Sequence, residues 1–223
     1  MKAGATAVTV VTALVMVVIV VGVVVVGVGT RDDTPSRTPV PDHVPPQVAA
    51  VPEDPSATAD QLGIPVDFLE AYLAGTRTAD AENPGCHLAW NTLAGLGWAE
   101  TRHGSYGRDA HGAIIGPELD GTGGFMEVPD TDHGKLDGDP NHDRALGPLQ
   151  FLPDSWRMFG DGGDPQNIRD AAPAAARLLC SGDRDLRDPQ DWTDAVYAYN
   201  RSGEYLVDVR DAAANYALGQ AAA

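Results

Sequence analysis

Glu100 is the residue of this chain whose setting most favours acid–base chemistry. It ends an apolar segment and follows Leu93, Leu96 and Gly97 by seven, four and three residues. Helical periodicity places these four residues on one face. Burial beside apolar groups raises the pKa of a carboxyl group, and a glutamic acid that stays protonated near neutral pH can act as a general acid. The alternative is a surface glutamate near a helix end, with Gly104 as the stop signal.

The acidic stretch from Asp130 to Asp143 does not follow the EF-hand pattern. An EF-hand loop has Glu at position 12, whereas counting from Asp130 puts Asn141 there and counting from Asp137 puts Pro148 there. A solvated acidic loop is therefore expected, with calcium binding of another kind as the alternative. The histidines show no zinc-site spacing, and the chain has no Walker loop or nucleophile elbow. The sequence predicts neither a metal site nor a cofactor.

Three short motifs follow one another along the chain. They are Glu-Thr-Arg-x-Gly at residues 100–104, Gly-x-x-Gln-Phe-x-Pro-x-Ser-Trp at 147–156 and Ala-Tyr-Asn at 198–200. In this order they resemble the motifs of the lysozyme-like lytic murein transglycosylases, specifically the membrane-bound type B branch. Together with residues 164–171, the likeness extends over residues 58–216, which is nearly the whole predicted domain.

The resemblance implies a mainly α-helical, lysozyme-like (α+β) fold and an enzyme that cuts peptidoglycan outside the cytoplasm. In this family one acid protonates the oxygen of the β-1,4 bond between MurNAc and GlcNAc. The same group then acts as a base on the C6 hydroxyl of MurNAc, which closes a 1,6-anhydro ring without water. Glu100 occupies the position of that acid. Gln150 would hydrogen-bond the sugar near the cleaved bond, and Tyr199 and Asn200 would line the groove, with Tyr199 holding Glu100 or the N-acetyl group of the substrate.

Each of the three binding residues also has a purely structural interpretation. Gln150 could cap a helix, Tyr199 could be a core aromatic residue and Asn200 could simply end a helix. The chain also departs from the family pattern. Leu149 stands where Met is common, and residues 159–164 are too few for the calcium loop that relatives carry.

Two other functions compete with the transglycosylase prediction. A hydrolytic muramidase on the same fold would need a second carboxylate opposite Glu100, from Asp109, Glu118, Asp120 or Glu127. A non-catalytic peptidoglycan-binding protein would need no acid at all. The presence of the motif residues argues against the binding protein.

The elements that must position these residues follow an unusual N-terminal quarter. From Ala7 to Val28 the chain is uncharged and apolar, which is long enough to cross a bilayer. We predict an uncleaved signal anchor over residues 1–29, a proline-rich extended spacer over 30–57 and a single domain over 58–223. The domain is then expected at the cell membrane, on the extracytoplasmic side facing the wall.

Composition limits the partners of the domain. The net charge of −17 argues against nucleic acid, and the expected partners are peptidoglycan glycan strands and, through the anchor, the membrane. A monomer is expected. An exported chain with only Cys86 and Cys180 favours one disulfide, with two buried free thiols as the alternative.

Nearly all periodic segments are helical. A first helix is predicted to begin at Pro65 and to end before Gly75, and the segment around Glu100 forms the next. A later helix is predicted from Asp170, as N-cap, to Cys180, with Pro173 in its first turn. Two more follow: one over residues 192–199, and one after Ser202 with residues 205, 209, 212 and 216 on one face. A long Gly- and Asp-rich loop, residues 103–144, lies between the helix around Glu100 and the later helices. Residues 113–115 and 125–128 could form short strands within this loop.

Overall fold

Helices account for most of the regular structure in this computed structural model, which describes residues 37–223. The seven helices of this range are α1 Pro55–Leu62, α2 Val66–Glu82, α3 Trp90–Thr101, α4 Pro153–Phe159, α5 Ile168–Leu179, α6 Pro189–Tyr199 and α7 Gly203–Ala217. Two short strands, β1 Ile115–Glu118 and β2 Arg144–Leu146, form an antiparallel sheet. The prediction of a mainly α-helical single domain is confirmed.

The predicted signal anchor at residues 1–29 lies outside the described residues. Among residues 37–223, no helix combines the length and the hydropathy that a bilayer span requires. The compact unit begins at Arg37, earlier than the predicted boundary at residue 58.

Helix α3 lies in the core, and Leu93 and Leu96 are fully buried. Helices α2 and α7 pack against it. The approach of α7 is close, since a Cβ atom placed at Gly95 would lie 2.6 Å from the carbonyl oxygen of Val209. Only glycine permits the two backbones to come this near, so the sequence of α3 sets its distance from α7.

The predicted end of the first long helix at Gly75 is wrong, because α2 continues to Glu82. Gly75 is buried where α5 crosses α2, and a Cβ atom there would lie 2.8 Å from the carbonyl oxygen of Ala172. The glycine serves helix packing and does not stop the helix.

The predicted N-cap of the later helix that ends at Cys180, Asp170, is also wrong. Asn167 is the N-cap of α5, and its side chain accepts a hydrogen bond from the backbone N–H of Arg169. Pro173 therefore lies inside the helix and not in its first turn. The last helix begins as predicted, with Ser202 as N-cap, and Tyr205, Val209, Ala212 and Tyr216 are all buried.

The long loop is organised by turns. Strand β1 pairs with β2 through Ile115 opposite Leu146 and Glu118 opposite Arg144. The predicted strand at residues 125–128 does not form. Within this segment Glu127 makes an isolated β-bridge with Asp120. Aspartate side chains accept backbone N–H bonds throughout the loop, as turn-forming Asx residues do.

The predicted disulfide is confirmed: Cys86 and Cys180 are bonded, with their Cα atoms 5.4 Å apart. Part of the predicted spacer contacts the domain. The backbone N–H of Ala49 donates to Asn91 Oδ1 at 3.1 Å, and the Trp90 indole donates to the carbonyl oxygen of Ala50 at 3.0 Å.

Candidate active site

Glu100 lies in the last turn of α3 and is partly buried. Its Oε1 accepts a hydrogen bond of 2.5 Å from the hydroxyl group of Tyr205, near the start of α7. Burial raises the pKa of Glu100 to about 7, and the Tyr205 hydrogen bond partly offsets this rise by favouring the carboxylate. Near neutral pH the group therefore exists in both protonation states.

The end of α3 is built by residues 101–104 of the first motif. Arg102 takes the left-handed conformation, with φ 51°, and closes the helix through its backbone N–H. Thr101 Oγ1 donates to the carbonyl oxygen of Pro148 at 2.7 Å and accepts from the N–H of Gly104 at 2.8 Å. The threonine thus attaches the first motif directly to the second.

The second motif begins with a tight turn. Gly147 has φ +74°, and a Cβ atom there would lie 1.7 Å from the carbonyl oxygen of Pro165, so no other residue fits. Gln150 also has positive φ, at 48°, and its Nε2 donates to the carbonyl oxygen of Gly147 at 2.9 Å. Gln150 does not cap α4, whose N-cap is Leu152.

The third motif contributes one residue near Glu100 and one at the surface. Tyr199 donates its hydroxyl to the carbonyl oxygen of Leu149 at 2.7 Å and packs edge-on against Phe151. Burial, and then the charge of Glu100, raise the pKa of Tyr199 well above its ordinary value. Asn200 is exposed, ends α6 and accepts a hydrogen bond from the N–H of Ser202 at 3.2 Å.

Of the two partners predicted for Tyr199, Glu100 is not bonded by it: the Tyr199 hydroxyl donates to Leu149, and the hydroxyl on Glu100 belongs to Tyr205. Sequence reasoning placed Tyr205 on the buried face of α7 without a chemical role. The available signal was only general: a buried tyrosine hydroxyl needs a polar partner, but α3 offers Asn91, Thr92 and Thr101 besides Glu100.

The four carboxylates proposed for a hydrolase each have other partners in the long loop. Asp109 accepts hydrogen bonds from the N–H groups of His111 and Ala113, and Asp120 accepts from the N–H group and the hydroxyl group of Thr122. The remaining two flank His142, with Glu118 at 2.8 Å and Glu127 at 3.9 Å. None of the four is among the groups that shift the pKa of Glu100.

Three aspartates of the loop come close together. Carboxylate oxygens of Asp130, Asp132 and Asp143 lie within 4.8 Å of one another. All three accept hydrogen bonds from the same loop, and both oxygens of the buried Asp143 bind Thr131. Folding of the loop thus accounts for the cluster.

Two surface depressions lie elsewhere on the domain, and Glu100 lines neither. One is bordered by Pro45, His87 and Trp192, the other by Arg108 and Pro148. Comparisons of the chain with protein families, curated proteins and solved structures found no match.

Proposed function

We propose that this protein is a lytic transglycosylase with a lysozyme-like fold, which cleaves the β-1,4 bond between MurNAc and GlcNAc of peptidoglycan and leaves 1,6-anhydro-MurNAc. The observation that carries the proposal is the partly buried Glu100 carboxyl, with a pKa of about 7 and a tyrosine hydroxyl directed at it. The resemblance of the three motifs supplies the substrate and the reaction.

A pKa near 7 suits both proton transfers of this reaction. The protonated form of Glu100 donates its proton to the glycosidic oxygen as the bond breaks. The resulting carboxylate accepts the proton of the C6 hydroxyl group of MurNAc, whose oxygen attacks the anomeric carbon and closes the ring. The hydrogen bond from Tyr205 stabilises the carboxylate between the two steps.

The surroundings of Glu100 favour this reaction over hydrolysis. A hydrolase of the ordinary kind needs a second carboxylate opposite the acid, and two close carboxylates raise the pKa of one of them. The pKa of Glu100 is raised by burial, with no contribution from a neighbouring carboxylate. The muramidase remains the alternative function, and a binding protein without activity is the third.

The motif residues have distinct proposed roles. Tyr199 supports the turn of the second motif through Leu149, while Tyr205 holds Glu100. Gln150 and Asn200 would bind the glycan, and the exposed side chain of Asn200 is accessible to it. We place the enzyme at the membrane surface facing the wall, as a monomer, and the disulfide fits that oxidising side.

Mass spectrometry of the sugars released from purified peptidoglycan by the full-length chain tests the function. Products that end in 1,6-anhydro-MurNAc, lighter by one water than hydrolysis products, are expected. Reducing ends would identify a muramidase, and retained binding without release would identify a binding protein.

The matched control is Glu100→Gln, which keeps the size of the side chain and its capacity to accept from Tyr205. It should lower the cleavage rate by about 10²-fold or more, because the general acid and base is lost. Binding of the variant to peptidoglycan should stay within about twofold of the wild type. Persistent cleavage would exclude Glu100 as the catalytic group.

A further inference from the structure

His103 is a buried histidine three residues after Glu100, and the proposed reaction does not use it. It follows the left-handed Arg102 and has φ 55° itself, so the chain turns back over the end of α3. Its backbone N–H donates to the carbonyl oxygen of Gly97 at 2.8 Å. The imidazole ring is thereby held beside the helix that carries Glu100.

Both ring nitrogens of His103 bind tyrosine hydroxyl groups from other helices. Nδ1 lies 2.9 Å from the hydroxyl of Tyr72 on α2, and Nε2 lies 2.7 Å from the hydroxyl of Tyr216 on α7. Burial, followed by the charge of Arg102, lowers the pKa of His103 to about 4. The neutral ring donates to one hydroxyl group and accepts from the other.

Gly97 makes room for this arrangement. A Cβ atom at Gly97 would lie 1.9 Å from the Tyr72 hydroxyl and 3.2 Å from His103 Nδ1. The three residues therefore fit together only because α3 has a glycine at this turn.

Helix α7 connects His103 to the catalytic centre. Tyr216 and Tyr205 lie eleven residues apart on the same buried face of α7. One bonds His103 and the other bonds Glu100, and these two partners lie in the last turn of α3 and just after its end. A displacement of α7 along α3 would thus break both hydrogen bonds together.

We infer that His103 is a positioning residue, which holds α7 in register through Tyr216 so that the Tyr205 hydroxyl stays on Glu100. The catalytic meaning of this inference rests on the proposed function. The expected effect on the pKa of Glu100 does not depend on that function, because it concerns a hydrogen bond that is present in the protein without substrate.

The test compares two variants that each remove one hydroxyl group from His103. Tyr216→Phe cuts the link to α7, and Tyr72→Phe is its matched control, since Tyr72 lies on α2. The pKa of Glu100 is measured by NMR titration of labelled glutamate in the full-length chain, with Glu100→Gln as the assignment control. Cleavage rates and melting temperatures are measured in parallel.

Tyr216→Phe should raise the pKa of Glu100 towards the value found in Tyr205→Phe, because the hydrogen bond that lowers it is weakened. It should also reduce the cleavage rate by about tenfold or more, as a misplaced catalytic group does. Tyr72→Phe should leave both quantities near those of the wild type. Equal pKa shifts in the two variants, or none in Tyr216→Phe, would overturn the inference.

Substitution of His103 itself separates hydrogen bonding from packing. His103→Phe should behave like Tyr216→Phe, whereas His103→Gln, which keeps a donor and an acceptor, should restore the pKa of Glu100. An equal shift in both would overturn the inference. If the wild type releases no sugar, the proposed function fails, but the pKa series still decides the role of His103.

Discussion

At the scale of single residues, Glu100 combines a chemical role with an energetic cost. Burial disfavours its ionised form, so the folded state holds a proton that the unfolded chain releases at lower pH. The same burial that prepares the acid for catalysis makes folding sensitive to pH.

The sign of this dependence can be tested with Glu100→Gln. The folded pKa of about 7 lies above the ordinary value of 4.5, so the stability associated with Glu100 is complete below pH 4.5 and is lost as the pH rises through 7. At pH 8 the glutamine variant should therefore be more stable than the wild type by roughly 3 kcal/mol, and at pH 4 the two should be equal. Urea denaturation at both pH values measures the difference, and an equal difference at both would contradict the raised pKa.

Residue types and spacing were enough to predict that Glu100 lies on the apolar face of α3, because helical periodicity puts it on the same face as Leu93 and Leu96. They did not predict its partner. The partly buried Tyr199 and the buried Tyr205 both lie on the C-terminal helices, and only the packing of α7 on α3 decides which hydroxyl reaches the carboxyl. Contacts between distant segments leave no local pattern.

At the scale of elements, a glycine can mark a close approach of two segments as well as the end of a helix. Gly75 and Gly95 lie inside helices, where neighbouring backbones approach within contact distance. The interpretation of Gly75 as a helix stop is wrong. The sequence shows that position 75 has no side chain, but it does not show that the backbone of α5 packs there and leaves no room for one. In the same way Asn167, rather than Asp170, is the N-cap of α5, since either residue type can cap a helix.

Gly147 and Gly162 form a matched pair for measuring such an approach. Both have φ +74°, but a Cβ atom would clash with Pro165 at the first and meet nothing within 4 Å at the second. Gly162→Ala should cost about 1 kcal/mol of unfolding free energy for the left-handed backbone alone. Gly147→Ala should cost at least about 2 kcal/mol more and should reduce cleavage, because the turn that carries Gln150 must move. Equal losses of unfolding free energy in the two variants would show that the turn at Gly147 can shift to accommodate a Cβ atom without further destabilisation.

At the scale of the whole molecule, the segment before α1 and the disulfide join distant parts of the chain. The fully buried Asn91 binds the backbone of Gln47, Ala49 and Ala213, so α3, α7 and the N-terminal segment meet at one side chain. The composition of residues 30–57 predicts an extended spacer, because proline content reports local backbone preference and not the contacts that residues 37–57 make.

The disulfide closes a loop of 94 residues around α3, the long loop and α5. Two hydrogen bonds connect the same two segments beside the disulfide. Asn83 Nδ2 donates to the carbonyl oxygen of Cys180 at 2.8 Å, and the backbone N–H of Leu186 donates to the carbonyl oxygen of Cys86 at 2.8 Å. The folded state should therefore keep its geometry without the bond, and the loss should arise in the unfolded chain.

We expect Cys86→Ala/Cys180→Ala to lower the unfolding free energy by about 4.7 kcal/mol, the chain-entropy value for a loop of this size. The slope of the free energy against urea should rise, since the unfolded chain exposes more surface once the loop is open. The pKa of Glu100 should stay near 7, because burial and the Tyr205 hydrogen bond set it. A changed pKa with an unchanged slope would mean that the disulfide acts on the folded site and not on the unfolded chain.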